Sequence, residues 1–336
     1  LGMMKVVDDD NISVATKMGY PTFDKNIKDI NDSTSNTYED WDKDADHDMG
    51  DAVPFQLVAT LPANYDDYVT YKMIFHDDLQ ENVFDLDKNS FVIYGMDGAT
   101  KVEISDTNYT ITYPGTEDET FENTHTDHSK DFVVTFDNVK AISGLGASDS
   151  IYIEYKAKLT TAANIGQAGN WNSAYLEYSN NPNYTGDGDE GSTDETTGKT
   201  TEETVVAFTY QTIIDKIDGV SKDPLNGAEF TLYKRINNEV DGDGNAVYSK
   251  VVKEYKGVSQ NQFEFVGLDD GEYKLVETKT PNETYNPIDP IIFTITGVHD
   301  GKALTELNGV TSTEATEISL GSVQKGTVDL LNGKIS

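Results

Sequence analysis

The chain has 336 residues, enough for two or three domains with separate cores. It carries 25 Lys and Arg against 60 Asp and Glu, a formal charge of -35, so nucleic acid and anionic lipid surfaces are poor partners for it. It has no Cys, which excludes disulfides, thiolate metal sites and thiol nucleophiles; any covalent staple must use other chemistry.

Taken in order, residues 1–20 are acidic and loosely patterned and read as an N-terminal arm. No basic leader with an apolar core opens the chain and no long uncharged apolar run follows, so neither a signal peptide nor a membrane span is expected. From Pro21 short alternating segments rich in Val, Ile, Thr, Tyr and Phe are separated by Gly, Asn, Asp and Pro, the pattern of an all-β chain with no amphipathic helix. TFDKNIKDI, VPFQLVATL, YKMIFHDDL, SFVIYG, YTITYPG, FVVTFDNV, SIYIEYKAKL and NSAYLEYS predict about eight strands, and with them one large Ig-like sandwich over 21–208. Residues 183–203, rich in Gly, Thr and acid, read as a mobile excursion. The stretch Thr204 to Asp218 reads as one strand that closes the first domain and opens the second, which implies a stiff joint. AEFTLYKR, VYSKVVKEYK, NQFEFVG, GEYKLVETK, IIFTITG, TEISLG and TVDLLNGKI then predict a smaller sandwich over 209–336.

Side chains two apart on a strand share a face, so Ile214 and Lys216 in TIIDKID point the same way and Lys216 points inward. Glu277 continues the face of Tyr273 and Leu275, and Asn332 that of Val328 and Leu330. A buried ammonium without a partner is expensive. Desolvation lowers a lysine from its free value of about 10.4 and raises a glutamate from about 4.3, which would leave both groups neutral at pH 7. A neutral Lys216 could attack the Asn332 carboxamide, with Glu277 shuttling the proton and ammonia leaving. Periodicity alone favours a satisfied Lys216–Glu277 ion pair, with Asn332 in a turn beside Gly333, because structural ion pairs far outnumber reactive sites. In the first domain Phe23, Lys25 and Ile27 share a face, with Lys28 on the opposite one. Asn172, Ala174, Leu176 and Tyr178 alternate inward, and Asn180 continues that alternation. Asp78, next to Asp77, is expected to point outward.

The blocks KID, PLNGAEFTLYK, GEYKLVETKTP and a terminal strand carrying Asn resemble the CnaB-type domains of Gram-positive surface proteins and pilins, over about residues 209–336. That resemblance implies an autocatalytic isopeptide between Lys216 and Asn332, with Glu277 as the proton shuttle; TPNETYNP departs from the shorter turn usual in the family. PTFDKNIKDIND, MGDAVPFQLVATLPANY, YKMIFHDDL and NSAYLEYSNNPN are similar to the fimbrial isopeptide-formation (CnaA-like) domain, over about 20–205. By that resemblance Lys25 is the amine, Asp77 the shuttle and Asn172 the acceptor, with Lys28 and Asn180 as alternatives. Together these imply a structural subunit of an extracellular, cell wall-anchored pilus, joined to other pilin subunits by a sortase and crosslinked once per domain in a single turnover. It would not be an enzyme in any other sense. A surface adhesin or minor pilin that binds a host protein or glycan is the alternative. Lys17 is a candidate joining lysine, but a solvated arm residue is the preferred reading.

No cofactor or metal is expected. Asp42, Asp44 and Asp46, Asp187 and Asp189, and Asp241, Asp243 and Asn245 have alternating oxygens but lack the Gly and Glu of a calcium loop, and read as solvated acidic turns. His76, His125 and His128 lack a matching third ligand. The 19 Tyr are expected in core and surface packing.

Overall fold

A computed structural model of the chain describes residues 19–113, 131–182, 197–301, 303–311, 316–320, 324–329 and 331–336. Its elements are strands and single 3-10 turns. The first thirteen strands are β1 (Thr22–Lys28), β2 (Trp41–Asp42), β3 (Asp44–Asp46), β4 (Ala52–Thr60), β5 (Met73–Leu79), β6 (Phe84–Asp97), β7 (Thr100–Glu103), β8 (Thr110–Thr112), β9 (Phe132–Phe136), β10 (Ser150–Leu159), β11 (Asn170–Ser179), β12 (Thr197–Lys199) and β13 (Glu203–Phe208). They form two sheets, ordered β2-β1-β4-β10-β6-β7 and β3-β13-β11-β5-β9-β8, with β12 beside β11. Inward positions such as Ile27, Phe55, Leu57, Phe75, Ile153 and Leu176 are fully buried between them, as period-two alternation requires.

The second unit contains β14 (Tyr210–Asp215), β15 (Glu229–Lys234), β16 (Lys250–Tyr255), β17 (Gln262–Leu268), β18 (Gly271–Lys279), β19 (Ile291–Ile295), β20 (Gly297–His299), β21 (Leu304–Leu307), β22 (Thr316–Leu320), β23 (Gln324–Asp329) and β24 (Lys334–Ile335). Its two main sheets are ordered β17-β14-β24-β23-β22 and β16-β15-β18-β19, with a ribbon of β20 and β21. A separate core of Phe230, Leu232, Phe263, Phe265, Tyr273 and Leu275 lies between them.

Four expectations are corrected. The Thr204–Asp218 stretch is two strands, divided at buried Thr209, whose hydroxyl donates to Leu268 O at 3.1 Å. β13 stays in the first unit and β14 enters the second. The acidic excursion is shorter than its composition suggested, because residues 197–199 pair with β11. Asp78 is fully buried rather than exposed, because six of the seven residues of β5 are buried and they lie on both of its faces. TVDLLNGKI is not one strand: β23 ends at Asp329, the chain turns through Gly333 at φ +55°, and β24 runs back against β23, with Ile335 opposite Val328.

The joint is short and closely packed. On β13, Val205 and Ala207 face the first core while Val206 and Phe208 face the second. Gly166 of the first unit lies against Gly333 of the second so closely that a Cβ on either would enter the other's backbone, and both hold positive φ. Lys234 is buried there among Asp32 at 2.5 Å, Asp48 at 3.1 Å and Asp269 at 3.1 Å, and Lys250 adds an ion pair to Asp48 at 2.6 Å. Burial alone would lower Lys234, but the surrounding carboxylates, Asp269 foremost, outweigh it and hold the ammonium protonated. His299 lies between Asp44 at 3.2 Å and Asp46 at 3.1 Å. Asp44 and Asp46 are therefore not a solvated turn: β3 pairs parallel with β13 and carries them into the joint.

Candidate functional site

The first unit brings Lys25, Asp77 and Asn172 together. β1 and β10 lie in one sheet and β5 and β11 in the other, so inward residues of the four strands meet across the core. Lys25 Nζ donates to Asp77 Oδ2 at 2.5 Å and to the Tyr155 hydroxyl at 2.9 Å. Tyr155 donates to Asp77 Oδ2 at 2.7 Å and accepts from Asn172 Nδ2 at 2.8 Å. All four residues are essentially inaccessible, and the amine also lies over the rings of Phe55 and Tyr155. Burial pushes Lys25 down from the usual lysine value against the attraction of Asp77. Burial likewise pushes Asp77 up, against Lys25 and Tyr155. Both shifts favour moving one proton from amine to carboxyl, which leaves a neutral nucleophile beside a carboxylic acid. Asp77 Oδ1 and Asn172 Oδ1 are both buried without a hydrogen-bond partner. Two buried acceptors without donors are costly, and a proton on Asp77 turns one carboxyl oxygen into a donor.

Of the alternatives, Lys28 turns outward, with its Nζ over the Trp41 ring, and half-buried Asn180 lies just past the end of β11. β11 is not the closing strand of its unit, because β12 and β13 follow it.

The second unit brings together Lys216 and Glu277 but not Asn332. Lys216 follows β14, where its N–H donates to Asn261 O at 2.7 Å and its carbonyl accepts from Leu225 N–H at 2.9 Å. Its Nζ lies 2.9 Å from Glu277 Oε1, and the other Glu277 oxygen accepts from Ile288 N–H at 2.8 Å. Asn332 is exposed in the β23–β24 turn, where its Nδ2 donates to Asp329 Oδ2 at 2.7 Å. Its backbone carbonyl accepts from the Gln211 side chain, five residues upstream of Lys216 and so roughly 16 Å away along the strand. The expectation that Asn332 faces Lys216 is thereby corrected: the Asn-Gly pair makes a turn instead of continuing an inward face.

Comparison with known proteins follows the same division. Residues 211–305 match the SpaA family, described as a Prealbumin-like fold domain. Over 137 residues the chain is 34% identical to the Trypsin-resistant surface T6 protein of Streptococcus pyogenes serotype M6, which takes in 38% of this chain and 22% of that one. The chain is similar to Gram-positive pilins. It thus spans about a fifth of that relative's length. The 35 kDa C-terminal fragment of a Streptococcus agalactiae major pilin superposes with a TM-score of 0.54 at 19% identity, covering 82% of this chain and 91% of that one. The pilus backbone protein RrgB of Streptococcus pneumoniae gives 0.52 at 15% identity, covering 82% and 94%. These structures share the fold.

Tyr155 is the member of this cluster that sequence reasoning missed, although a signal was present. SIYIEYKAKL alternates Ile151, Ile153, Tyr155 and Ala157 inward, and an inward hydroxyl needs a partner. The remaining candidates have structural partners. His76 stacks on Tyr175 with centroids 4.4 Å apart and lies 3.5 Å from Glu177, whose carboxyl its hydrogen bond lowers to about 2. Asp241 caps an exposed turn by accepting from the N–H groups of Asp243 and Asn245. Tyr65, Tyr71, Tyr210 and Tyr273 are core residues. Lys17, His125, His128, Asp187 and Asp189 lie outside the described residues. Among the described residues no helix is long and apolar enough to cross a membrane.

Proposed function

We propose that the chain is a two-domain part of an extracellular pilus shaft subunit, with domains over 21–208 and 209–336, stiffened by a self-formed Lys25–Asn172 isopeptide. The buried Lys25–Asp77–Tyr155–Asn172 cluster carries this reading. Its chemistry balances without a cofactor. The neutral Lys25 amine attacks Asn172 Cγ, and Asp77 gives its proton to the developing oxyanion or to the departing Nδ2. The new N–C bond forms, the Cγ–Nδ2 bond breaks, and ammonia leaves with the proton that Lys25 sheds. Because the four residues are buried and the reaction joins two of them, the site would turn over once, as a crosslink. A bond from β1 to β11 would carry tension past β2 to β10, as a shaft subunit pulled from its ends requires. Similarity to a protein named as a surface protein and to structures named as pilins supports the same role, in which other pilin subunits are the partners, a sortase joins them and the cell wall anchors the polymer.

Single-molecule pulling from the two termini tests this. With the bond in place the contour length of β2 to β10 is never released. Release of the full contour length of the first domain would overturn the reading.

A further inference from the structure

The outer face of the β2-β1-β4-β10-β6-β7 sheet, turned away from the buried Lys25, carries a trough that the crosslinking chemistry does not use. Residues directly opposite on neighbouring strands share a face, so the register lines up rows of side chains across the sheet. One row runs Asp24, Val58, Tyr152 and Tyr94. Beside it Asn26, Gln56 and Glu154 form a second. Val58 is the short apolar member and floors a cleft of about 440 Å³, with Asn26, Gln56, Trp41, Tyr94 and Tyr152 in its lining. That volume lies within the roughly 300–1,000 Å³ of small-molecule sites. The walls are fixed by the protein itself. Tyr152 and Tyr94 stack with centroids 5.1 Å apart and planes at 4°, and Lys101 Nζ lies 4.1 Å from the Tyr94 ring centroid. By strand order Lys101 approaches Tyr94 from the β7 side, which leaves the β4 side of the Tyr152 ring toward Val58. The Tyr94 hydroxyl and Gln56 Nε2 both donate to Glu154 Oε1, at 2.8 and 3.0 Å. Gln56 is only 4% exposed although it points away from the core, so a buried amide stands at the edge of the floor. Asn26 Nδ2 reaches Gln56 Oε1 at 3.4 Å, a long bond that a better acceptor would displace.

We infer that this trough binds an uncharged saccharide. β1 and β10 flank β4 and so stand two strand spacings apart, roughly 10 Å, which admits one flat ring at about 4 Å from each wall. The C–H face of a pyranose suits the Tyr152 ring and Val58, while its hydroxyls suit the Asn26 and Gln56 amides and the Asp24 carboxylate. Such a mixture of apolar surface with a few placed polar groups is what orients a small ligand. Charge narrows the class. Asp24 and Glu154 border the trough, and each nearby cation is already engaged: Lys43 by Asp24, Lys28 by the Trp41 ring and Lys101 by the Tyr94 ring. An anionic sugar would meet carboxylates without a spare ammonium, whereas a neutral one escapes that penalty. The site depends neither on the Lys25–Asn172 bond nor on a place in a pilus.

Saturation-transfer NMR on the full chain tests this with lactose, maltotriose and an N-acetylglucosamine trimer, each beside a sulfated counterpart, and with an unstructured peptide as the non-sugar probe. An open trough predicts a Kd on the order of 1 mM for at least one uncharged sugar, with its sulfated counterpart weaker. Tyr152→Ala, at a half-exposed ring outside the core, is expected to weaken that binding about 10-fold while the melting temperature stays close to that of the unaltered chain. Val58→Arg, which fills the floor from the solvent side, is expected to abolish it, and Lys25→Met to leave it unchanged. Binding that survives both Tyr152→Ala and Val58→Arg, preference for the sulfated forms, transfer to the peptide alone, or no transfer to any saccharide overturns the assignment.

Discussion

Replacing Lys25 with Met removes the ammonium while keeping an unbranched stem among Phe55 and the Tyr155 ring. Locally this costs little. Asp77 is already pushed toward its neutral form by burial, and Tyr155 keeps its bonds to Asp77 and Asn172. The loss of the ammonium's two hydrogen bonds, to Asp77 and to Tyr155, is worth about 2 kcal/mol. The covalent consequence is larger: opening a loop of roughly 150 residues costs on the order of 5 kcal/mol in the chain-entropy account. For a domain of this size that lowers the melting temperature by roughly 10–20 °C. Asn172→Ala removes the same bond from its other end. A double-mutant cycle with calorimetry separates the terms, because the bond can be lost only once. The double variant is expected to melt near either single variant, with a coupling of about 5 kcal/mol that exceeds the 0.5–3 kcal/mol of ordinary contacting pairs. Additive losses from the two substitutions would refute the covalent reading.

Tyr155→Phe leaves the amine, acid and amide in place but removes the hydroxyl that holds all three. Freshly purified variant is expected to contain unbonded chain that converts over hours, followed by mass against time; immediate and complete conversion would remove Tyr155 from the chemistry. The joint is expected to weaken as pH rises. Asp29, which accepts from Asp46 N–H, and Asp270, which accepts from the Asn31 side chain across the joint, are raised to about 6 and about 7 by burial and then by neighbouring acids; their contribution to stability is full below their unfolded values and lost as pH climbs through those figures. Burial opposes His299, but Asp44 and Asp46 raise it to about 10, so its contribution is full below about 6.5 and fades up to about 10. Thermal melts against pH should fall across that range, and His299→Gln should flatten the upper part. Gly166→Ala, with positive φ and no room beside Gly333, is expected to cost about 1–3 kcal/mol more than Gly98→Ala, where the positive φ is similar but no atom lies within 4 Å. Equal melting temperatures for the two would show that the joint yields.

The inward lysine of β1 and the amide of β11 were legible because strand alternation is rigid and each position continues a run of apolar neighbours, whereas the carboxylate of β5 came from the resemblance of YKMIFHDDL to the fimbrial domain. Tyr155 was legible by the same rule but looked like ordinary packing, since tyrosine is common in strands. Asn332 was misplaced for a different reason. TVDLLNGKI alternates well enough to pass for one strand, and only the Asn-Gly pair, with Asp329 ready to cap it, marks the reversal. Asp44 and Asp46 looked like solvent-facing acids because their partner, His299, is far away in sequence and reaches them only when the two units pack. Alternation also implied that Asp78 was exposed, a rule that fails for an interior strand covered on both faces.

The central claim, one self-formed bond in a site with neither cofactor nor enzyme, is tested most directly by the intact mass of the unaltered chain. The expected mass is that of the sequence less one ammonia, with the difference mapped to a branched peptide joining Lys25 to Asn172. A mass equal to that of the plain sequence would contradict it.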